Sequence, residues 1–407
     1  MRILMLTSVY KDQSLGNKDT STNIVNSFVK EWKKQGHEVL VIHNSHCYPR
    51  LVHEIPSKFK KVLAAKMGFA ISDYNAVVSK DYLDDGVKVF RLPIKKYIPH
   101  SQPTKGAITK QVSKIITILR KENFNPDIIA GHWASPQMEI ISELKIVYNC
   151  KTAIVLHGTG YINSQKFNAK EYLKNIDSLG ARSLSQAKQI KEILQLENMP
   201  FVCNSGVPDE YLKEYKLNID KYKNIKTWKI TYVGRLVSYK NIDATINALS
   251  KIKDGNWEFN IVGDGASRTE LEELVRKLNL TEKVHFLGRV PREQVMKILN
   301  DTHIFVMIST NEIFGLVYLE AMAASCLTIA SKYGGVDGII INKKNGFLCS
   351  EGNDYELNSI IEDIIKSDSG SLQTIVKDAY TTVQEYTDYK VAEKYLKIIE
   401  GNMENDG

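Results

Sequence analysis

Cysteine is scarce in this chain and builds no framework. Cys47, Cys150, Cys203, Cys326 and Cys349 are five residues spread over 407, with no C-x-x-C pair. That excludes a disulfide scaffold and a closely spaced zinc site, and it predicts reduced thiols. No apolar run is long enough to cross a bilayer. The opening Met1-Arg2-Ile3-Leu4-Met5-Leu6-Thr7-Ser8 turns polar too soon for a secretory leader and reads as a first buried strand. A cytoplasmic protein is therefore expected. Solenoid-period repeats are missing, and so are low-complexity tracts apart from the polar end 401–407. Asp-x-Asp occurs nowhere.

At 43% hydrophobic and 25% charged, 407 residues can bury two cores. The net charge of +7 is uneven. Residues 1–205 hold 29 Lys and Arg against 17 Asp and Glu, whereas 206–407 hold 25 against 30. The basic first half fits either an anionic partner, such as a membrane surface or an acidic acceptor, or a solvated lysine-rich face.

Short apolar runs at 3–6, 39–42, 87–92, 127–130, 152–156 and 200–203 read as buried strands, separated by helical patterns at 20–35, 107–122 and 136–148. A second series follows, with strands near 228–233, 257–262, 283–287, 303–308 and 327–330 and helices between them. Such alternation predicts an α/β protein with parallel sheets covered on both faces by helices. The polar stretch Tyr211 to Trp228 reads as the connection between the halves.

Chemistry concentrates in the second half. Glu312 and Glu320 stand eight positions apart around Phe314-Gly315-Leu316, a turn leading into an apolar helix. Two carboxylates so placed can reach different parts of one extended polar ligand, with turn amides and the helix start between them for an anion. Glutamates at helix starts are also ordinary caps, so the pair needs support. It comes from Ile230-Thr231-Tyr232-Val233-Gly234-Arg235-Leu236, a strand and glycine turn followed by Lys240-Asn241. An arginine fork and a lysine above a glycine-opened backbone suit a diphosphate.

Gly234-Arg235-Leu236…Lys240-Asn241, Gly263-Asp264-Gly265, Glu312…Glu320-Ala321-Met322, Gly334-Gly335 and Asn345-Gly346-Phe347 follow one another in order. Together they resemble the C-terminal half of the retaining glycosyltransferases of family 4, the group 1 glycosyltransferases. The resemblance implies the GT-B fold, with two Rossmann-like doubly wound domains facing across a cleft and a last helix crossing back to the first. The expected division is 1–207, with about 386–407, as the acceptor-binding domain and 208–385 as the donor-binding domain.

By resemblance, Arg235 and Lys240 neutralise the donor diphosphate, Glu312 holds hydroxyls of the transferred sugar beside the amides of Phe314, Gly315 and Leu316, and Glu320 accepts from the ribose. The base lies against main chain near Arg289 and Val290, with Gly234 and Gly263 opening the turns. Gly16 matches the first glycine of the loop that approaches the diphosphate, although Asn17 stands where a second glycine is usual. His157, ending a predicted strand before Gly158, matches the histidine beside the sugar. The expected donor is a UDP-sugar, with a GDP-sugar as alternative. The expected acceptor is a carbohydrate or lipid-linked hydroxyl. No cofactor is expected, and two fixed cations in place of Asp-x-Asp predict metal-independent transfer.

Departures from the family pattern are Ile313 for a small residue, Ser325 and Leu327 where Gly and Pro are common, and Gly338 for a frequent Glu. None removes a charge the chemistry needs. Glu54 to Phe69 reads either as a basic amphipathic helix resting on the inner face of a membrane or as a surface helix packing its apolar stripe. Tyr48, Tyr74, Tyr97 and Trp133 are candidates for an acceptor groove or for core. The alternative function is a non-catalytic GT-B subunit stabilising a partner enzyme, which would be expected to lose Glu312, Arg235 or Lys240. An epimerase would need acid/base groups not identified here. Glucosylation of nucleic acid draws on the basic first half alone, and no nucleic-acid partner is expected.

Overall fold

The computed structural model describes residues 1–12, 23–56, 59, 77–96, 102–164, 167–253 and 255–401. They form two compact units. Met1–Arg182, Gln186–Cys203 and the residues from Val391 onward make the first; Ser183–Ser185 and Asn204–Lys390 make the second. Apart from Ser183–Ser185, the chain changes unit after Cys203 and after Lys390.

The first unit is built on an eight-stranded sheet. In chain order its strands are β1 (Arg2–Thr7), β2 (Glu38–His43), β4 (Lys80–Asp84), β5 (Val87–Arg91), β7 (Ile128–His132), β8 (Lys151–Leu156), β9 (Ser178–Ala181) and β10 (Phe201–Val202). A separate short pair joins β3 (His46–Cys47) to β6 (Ile94–Lys95). The order is β10-β9-β8-β7-β1-β2-β5-β4, parallel throughout except that β4 returns antiparallel along β5. Nearly every residue of β1, β7 and β8 is buried, as strands covered on both faces require.

Helix Asp388–Glu400 closes this unit. Val391, Ala392, Tyr395, Leu396 and Ile399 are buried, and Trp32 Nε1 donates to the Ala392 carbonyl at 2.9 Å. The Tyr395 ring stands edge-on to Phe28, with centroids 5.4 Å apart. Among the described residues no helix is long and apolar enough to cross a membrane.

The second unit carries six parallel strands: β11 (Trp228–Val233), β12 (Trp257–Val262), β13 (Val284–Gly288), β14 (Ile304–Met307), β15 (Leu327–Ser331) and β16 (Phe347–Cys349). Their order is β13-β12-β11-β14-β15-β16. Counted within the unit this is 3-2-1-4-5-6, the doubly wound order, and it reverses between β11 and β14.

Tyr211 to Trp228, expected as the connection between the halves, packs on the second unit. Tyr211, Leu212, Ile219 and Ile225 lie against that core, and Tyr222 is 2% exposed. The Tyr222 hydroxyl lies 2.8 Å from the carbonyls of both His303 and Ser325, and it accepts the Leu327 N–H at 3.0 Å. Lys221 Nζ donates to the carbonyls of Thr302 and Ala324, at 2.7 and 2.9 Å. These groups follow the ends of helices Arg292–Asn300 and Leu316–Ala323, where unpaired carbonyls favour a cation. The lysines made the stretch look solvated, whereas its aromatic and aliphatic residues anchor it.

Replacing Tyr222 with Phe leaves those groups short of a partner and is expected to destabilise the second unit by about 1–3 kcal/mol. Urea unfolding followed by a probe in that unit would measure it. An unchanged midpoint would mean the segment is a tether after all.

Candidate active site

Three turns gather at the carboxyl edge of the second sheet. After β11, the Gly234 N–H donates to the Val262 carbonyl at 2.9 Å, and the Leu236 N–H to that of Asp264 at 3.1 Å. The turn after β12 approaches so closely that a Cβ on Gly263 would sit 1.8 Å from the Gly234 oxygen. One on Gly265 would sit 2.2 Å from that of Leu236. Only glycine tolerates this approach.

The cations follow. Arg235 is exposed and donates through Nη2 to the Tyr239 hydroxyl at 2.7 Å. Asn241, in the left-handed region at φ 50°, donates through Nδ2 to the Ile308 carbonyl at 2.8 Å and to Thr310 Oγ1 at 3.0 Å. This ties the turn after β11 to the turn after β14, either side of the reversal in strand order. Across that tie, Lys240 Nζ pairs with the Glu312 carboxylate, the two side chains being 11% and 14% exposed. Two groups 72 positions apart, both assigned to one ligand from the sequence, are therefore direct partners here. Burial first and the charge of Glu312 second raise the Tyr232 and Tyr318 phenols, which stay neutral beneath the pair.

Gly315, at φ 75°, starts helix Leu316–Ala323. The backbone of Phe314 rests against Gly335, where a Cβ would lie 2.4 Å from the Phe314 Cα. The Gly334-Gly335 turn thus holds the loop that carries Glu312. Leu316 packs at the edge of the core, Val290 does likewise, and Arg289 is exposed after β13.

Glu320 lies within an otherwise apolar helix face and is 6% exposed. Arg292 donates to its Oε1 twice, through Nε at 2.9 Å and Nη2 at 2.6 Å. Burial opposes the charge on Arg292, and Glu320 more than offsets this, holding the guanidinium above its ordinary value. Reading the sequence missed Arg292. A signal was available: it opens helix Arg292–Asn300, where the helix dipole disfavours a cation without an anionic partner.

His157 belongs to the first unit, directly after β8. Its Nε2 lies 2.8 Å from Nδ1 of His132, and its ring stacks on Trp133 with centroids 4.0 Å apart. Burial first, then the Arg182 charge, holds both histidines well below the ordinary value. His132 was not foreseen; ending the neighbouring strand β7, it was hidden by an apolar run. On the same edge Ser135 Oγ donates to Glu139 Oε1 at 2.6 Å, and burial pushes the Glu139 carboxyl up to about 7. Tyr48 is half-buried, and its N–H donates to His53 Nε2 at 2.9 Å. Gly16, Tyr74, Tyr97 and nearly all of the 54–69 helix lie outside the described residues. Among the described residues no three His, Cys, Asp or Glu gather as a metal site.

Comparison with known proteins adds three findings. The family model of glycosyl transferases group 1 matches residues 215–382. The chain is 29% identical over 248 residues to the uncharacterized glycosyltransferase MJ1178 of Methanocaldococcus jannaschii, covering 60% of this chain and 66% of that one. It is 26% identical over 251 residues to N-acetyl-alpha-D-glucosaminyl L-malate synthase of Bacillus anthracis, covering 59% and 65%. The aligned part thus spans just under two thirds of these relatives' own length. Among solved structures, Anabaena HepE in complex with UDP and glucose superposes with a TM-score of 0.64 at 17% identity, over 98% of this chain and all of that one. At that identity the likeness carries the fold, which is GT-B.

Two outcomes follow from this geometry. Gly335→Ala forces the Phe314 backbone aside and is expected to weaken ligand binding at Glu312 at least about tenfold without unfolding the unit, as isothermal titration would read. For the histidines, the unfolded chain takes up protons below about pH 6.5 while the folded one does not. Stability is therefore full above that pH and falls as pH drops, by about 1.4 kcal/mol per pH unit for each histidine. His132→Gln should reduce that slope in acid denaturation of the first unit; an unchanged slope would show that His132 is protonated when folded.

Proposed function

We propose, from the match of residues 215–382 to the model of glycosyl transferases group 1, that the chain is a retaining, metal-independent glycosyltransferase using a UDP-sugar. The observation that carries the reading is the pairing of Lys240 with Glu312 over a glycine-cleared backbone at the strand-order reversal, with Arg235 exposed on the same turn. Lys240 is paired with Glu312, and Arg235 stands exposed. A diphosphate draws both cations, which frees the Glu312 carboxylate to accept from the hydroxyls of the transferred sugar.

Glu320 takes the ribose, and the base lies against main chain near Arg289 and Val290. In the reaction, the bond from the anomeric carbon to the diphosphate oxygen breaks, and its electron pair leaves on the nucleotide. The acceptor oxygen bonds to the same face of that carbon, and its proton passes to the departing phosphate oxygen. Arg235 and Lys240 hold the charge that develops there, which is the part of the barrier that fixed electrostatics lowers most. With two protein cations at the diphosphate, no divalent ion is needed for this role. HepE, which shares the fold, is described with UDP and glucose, and this supports uridine over guanosine. The acceptor in this reading is a glycolipid or surface-polysaccharide precursor reached from the cytoplasmic face of a membrane. The alternative of a non-catalytic subunit is weakened by the retention of all three charged groups.

The test pairs binding with turnover. A nucleoside diphosphate at a hundred times its dissociation constant should add about 2.7 kcal/mol to stability. The shift should appear with UDP, survive EDTA and vanish in Arg235→Ala. Glu312→Gln should lower donor turnover about a hundredfold, equivalent to about 3 kcal/mol. Full nucleotide binding with no turnover of any UDP- or GDP-sugar across lipid and saccharide acceptors would favour the non-catalytic subunit. A shift lost on adding EDTA would overturn metal independence.

A further inference from the structure

Glu320 presents a problem that its own helix does not solve. Its carboxylate sits among the buried Leu319, Ala321, Met322 and Ala323, and a buried charge without a partner is expensive. Arg292 supplies the partner in an unusual way, because both donors converge on Oε1. Among the described residues no hydrogen bond reaches Oε2. A carboxylate held by two donors on one oxygen has that oxygen anchored and its second oxygen available. That is the arrangement needed to accept from a ribose hydroxyl at a set angle.

Arg292 is itself seated. Its guanidinium carbon lies 5.7 Å from the centroid of the Tyr211 ring, within range of a cation–π contact. Tyr211 belongs to helix Asp209–Glu214, which comes just after the chain enters the second unit and lies far in sequence from the other two residues. Arg292 opens its helix directly after Pro291, where the dipole works against it. Glu320 and Tyr211 hold it by contact, and the charge of Asp388 adds to them.

We propose that Arg292 is a positioning residue for nucleotide recognition: braced by Tyr211, it fixes Glu320 so that Oε2 reads the ribose hydroxyls of the donor. The proposal rests on the assignment of Glu320 to the ribose. It predicts that Arg292 governs discrimination between ribose and deoxyribose rather than the chemical step. A lysine cannot reproduce two donors on one oxygen, so Arg292→Lys should keep the charge and recover only part of the effect.

The experiment compares UDP with 2′-deoxy-UDP and 3′-deoxy-UDP by calorimetry, with the guanosine series in parallel. The proteins are the full-length wild type, Arg292→Gln, Arg292→Lys, Tyr211→Leu and Glu320→Gln. Wild type should favour the ribonucleotide over at least one deoxy analogue by about tenfold or more, as expected for a hydrogen bond to a charged group. In Arg292→Gln that ratio should fall towards one, while affinity for the same deoxy analogue changes by less than about threefold. Arg292→Lys and Tyr211→Leu should give intermediate ratios, and kcat should fall less than the rise in KM.

If wild type binds the ribo and both deoxy nucleotides equally in both series, the ribose assignment of Glu320 fails and the proposal with it. If Glu320→Gln abolishes discrimination but Arg292→Gln keeps it in full, Glu320 reads the ribose unaided and the proposal alone is overturned. Should Arg292→Gln fail to fold, the lysine and Tyr211 variants decide: full wild-type discrimination in both would overturn it.

Discussion

Everything at the carboxyl edge of the second sheet depends on main chain lying directly on main chain. The turns after β11 and β12 touch through Gly263 on Gly234 and Gly265 on Leu236. The loop after β14 rests on Gly335. No side chain intervenes to absorb a shift, so the positions of Arg235, Lys240 and Glu312 are inherited from backbone geometry. Backbone contact is far less compliant than a packed leucine, which suits a site where misplacement by an ångström costs rate. Asn241 extends the same principle, since its left-handed backbone and side-chain amide join two turns that the sequence separates by about seventy residues.

Much of this was legible in the sequence because it is written in local terms. Most strands of both sheets declared themselves as short apolar runs, although β4, β9 and β16 did not, and the glycine and charge spacing singled out the turns that carry Arg235, Lys240 and Glu312. Pairing was not legible. That Lys240 meets Glu312, that Arg292 meets Glu320 and that His132 meets His157 are facts about which loops become neighbours, and no periodicity encodes them. The packing of Tyr211–Trp228 was hidden for the same reason. Five lysines in that stretch suggested solvent, whereas one of them, Lys221, pairs with helix-end carbonyls and the tyrosines pack inward.

The basic character of the first half also changes meaning once the fold is known. Arg91, Arg182 and Lys96 are 1%, 1% and 4% exposed, so part of the positive excess never faces a partner. Arg91 and Lys80 both meet the buried Asp12 carboxylate, at 2.8 and 2.9 Å. Arg182 donates to the Cys203 carbonyl at 2.6 Å. These cations serve internal structure and electrostatics, including the suppression of charge on His132 and His157, and net charge counted along the sequence overstates what the surface offers.

The docking of helix Asp388–Glu400 on the first unit sets an order of events during synthesis. Trp32 bonds to a carbonyl 360 positions away, and Tyr395 fills the aromatic cluster of Phe28, Trp32, His132 and Phe201. A nascent chain that has emerged through Cys203 holds every strand of the first sheet but lacks the lid of that cluster. The second unit, whose residues are nearly contiguous, completes its core before the first can. The unit made first is therefore finished last, and while the ribosome is still reading, its aromatic cluster is the apolar surface in need of shelter.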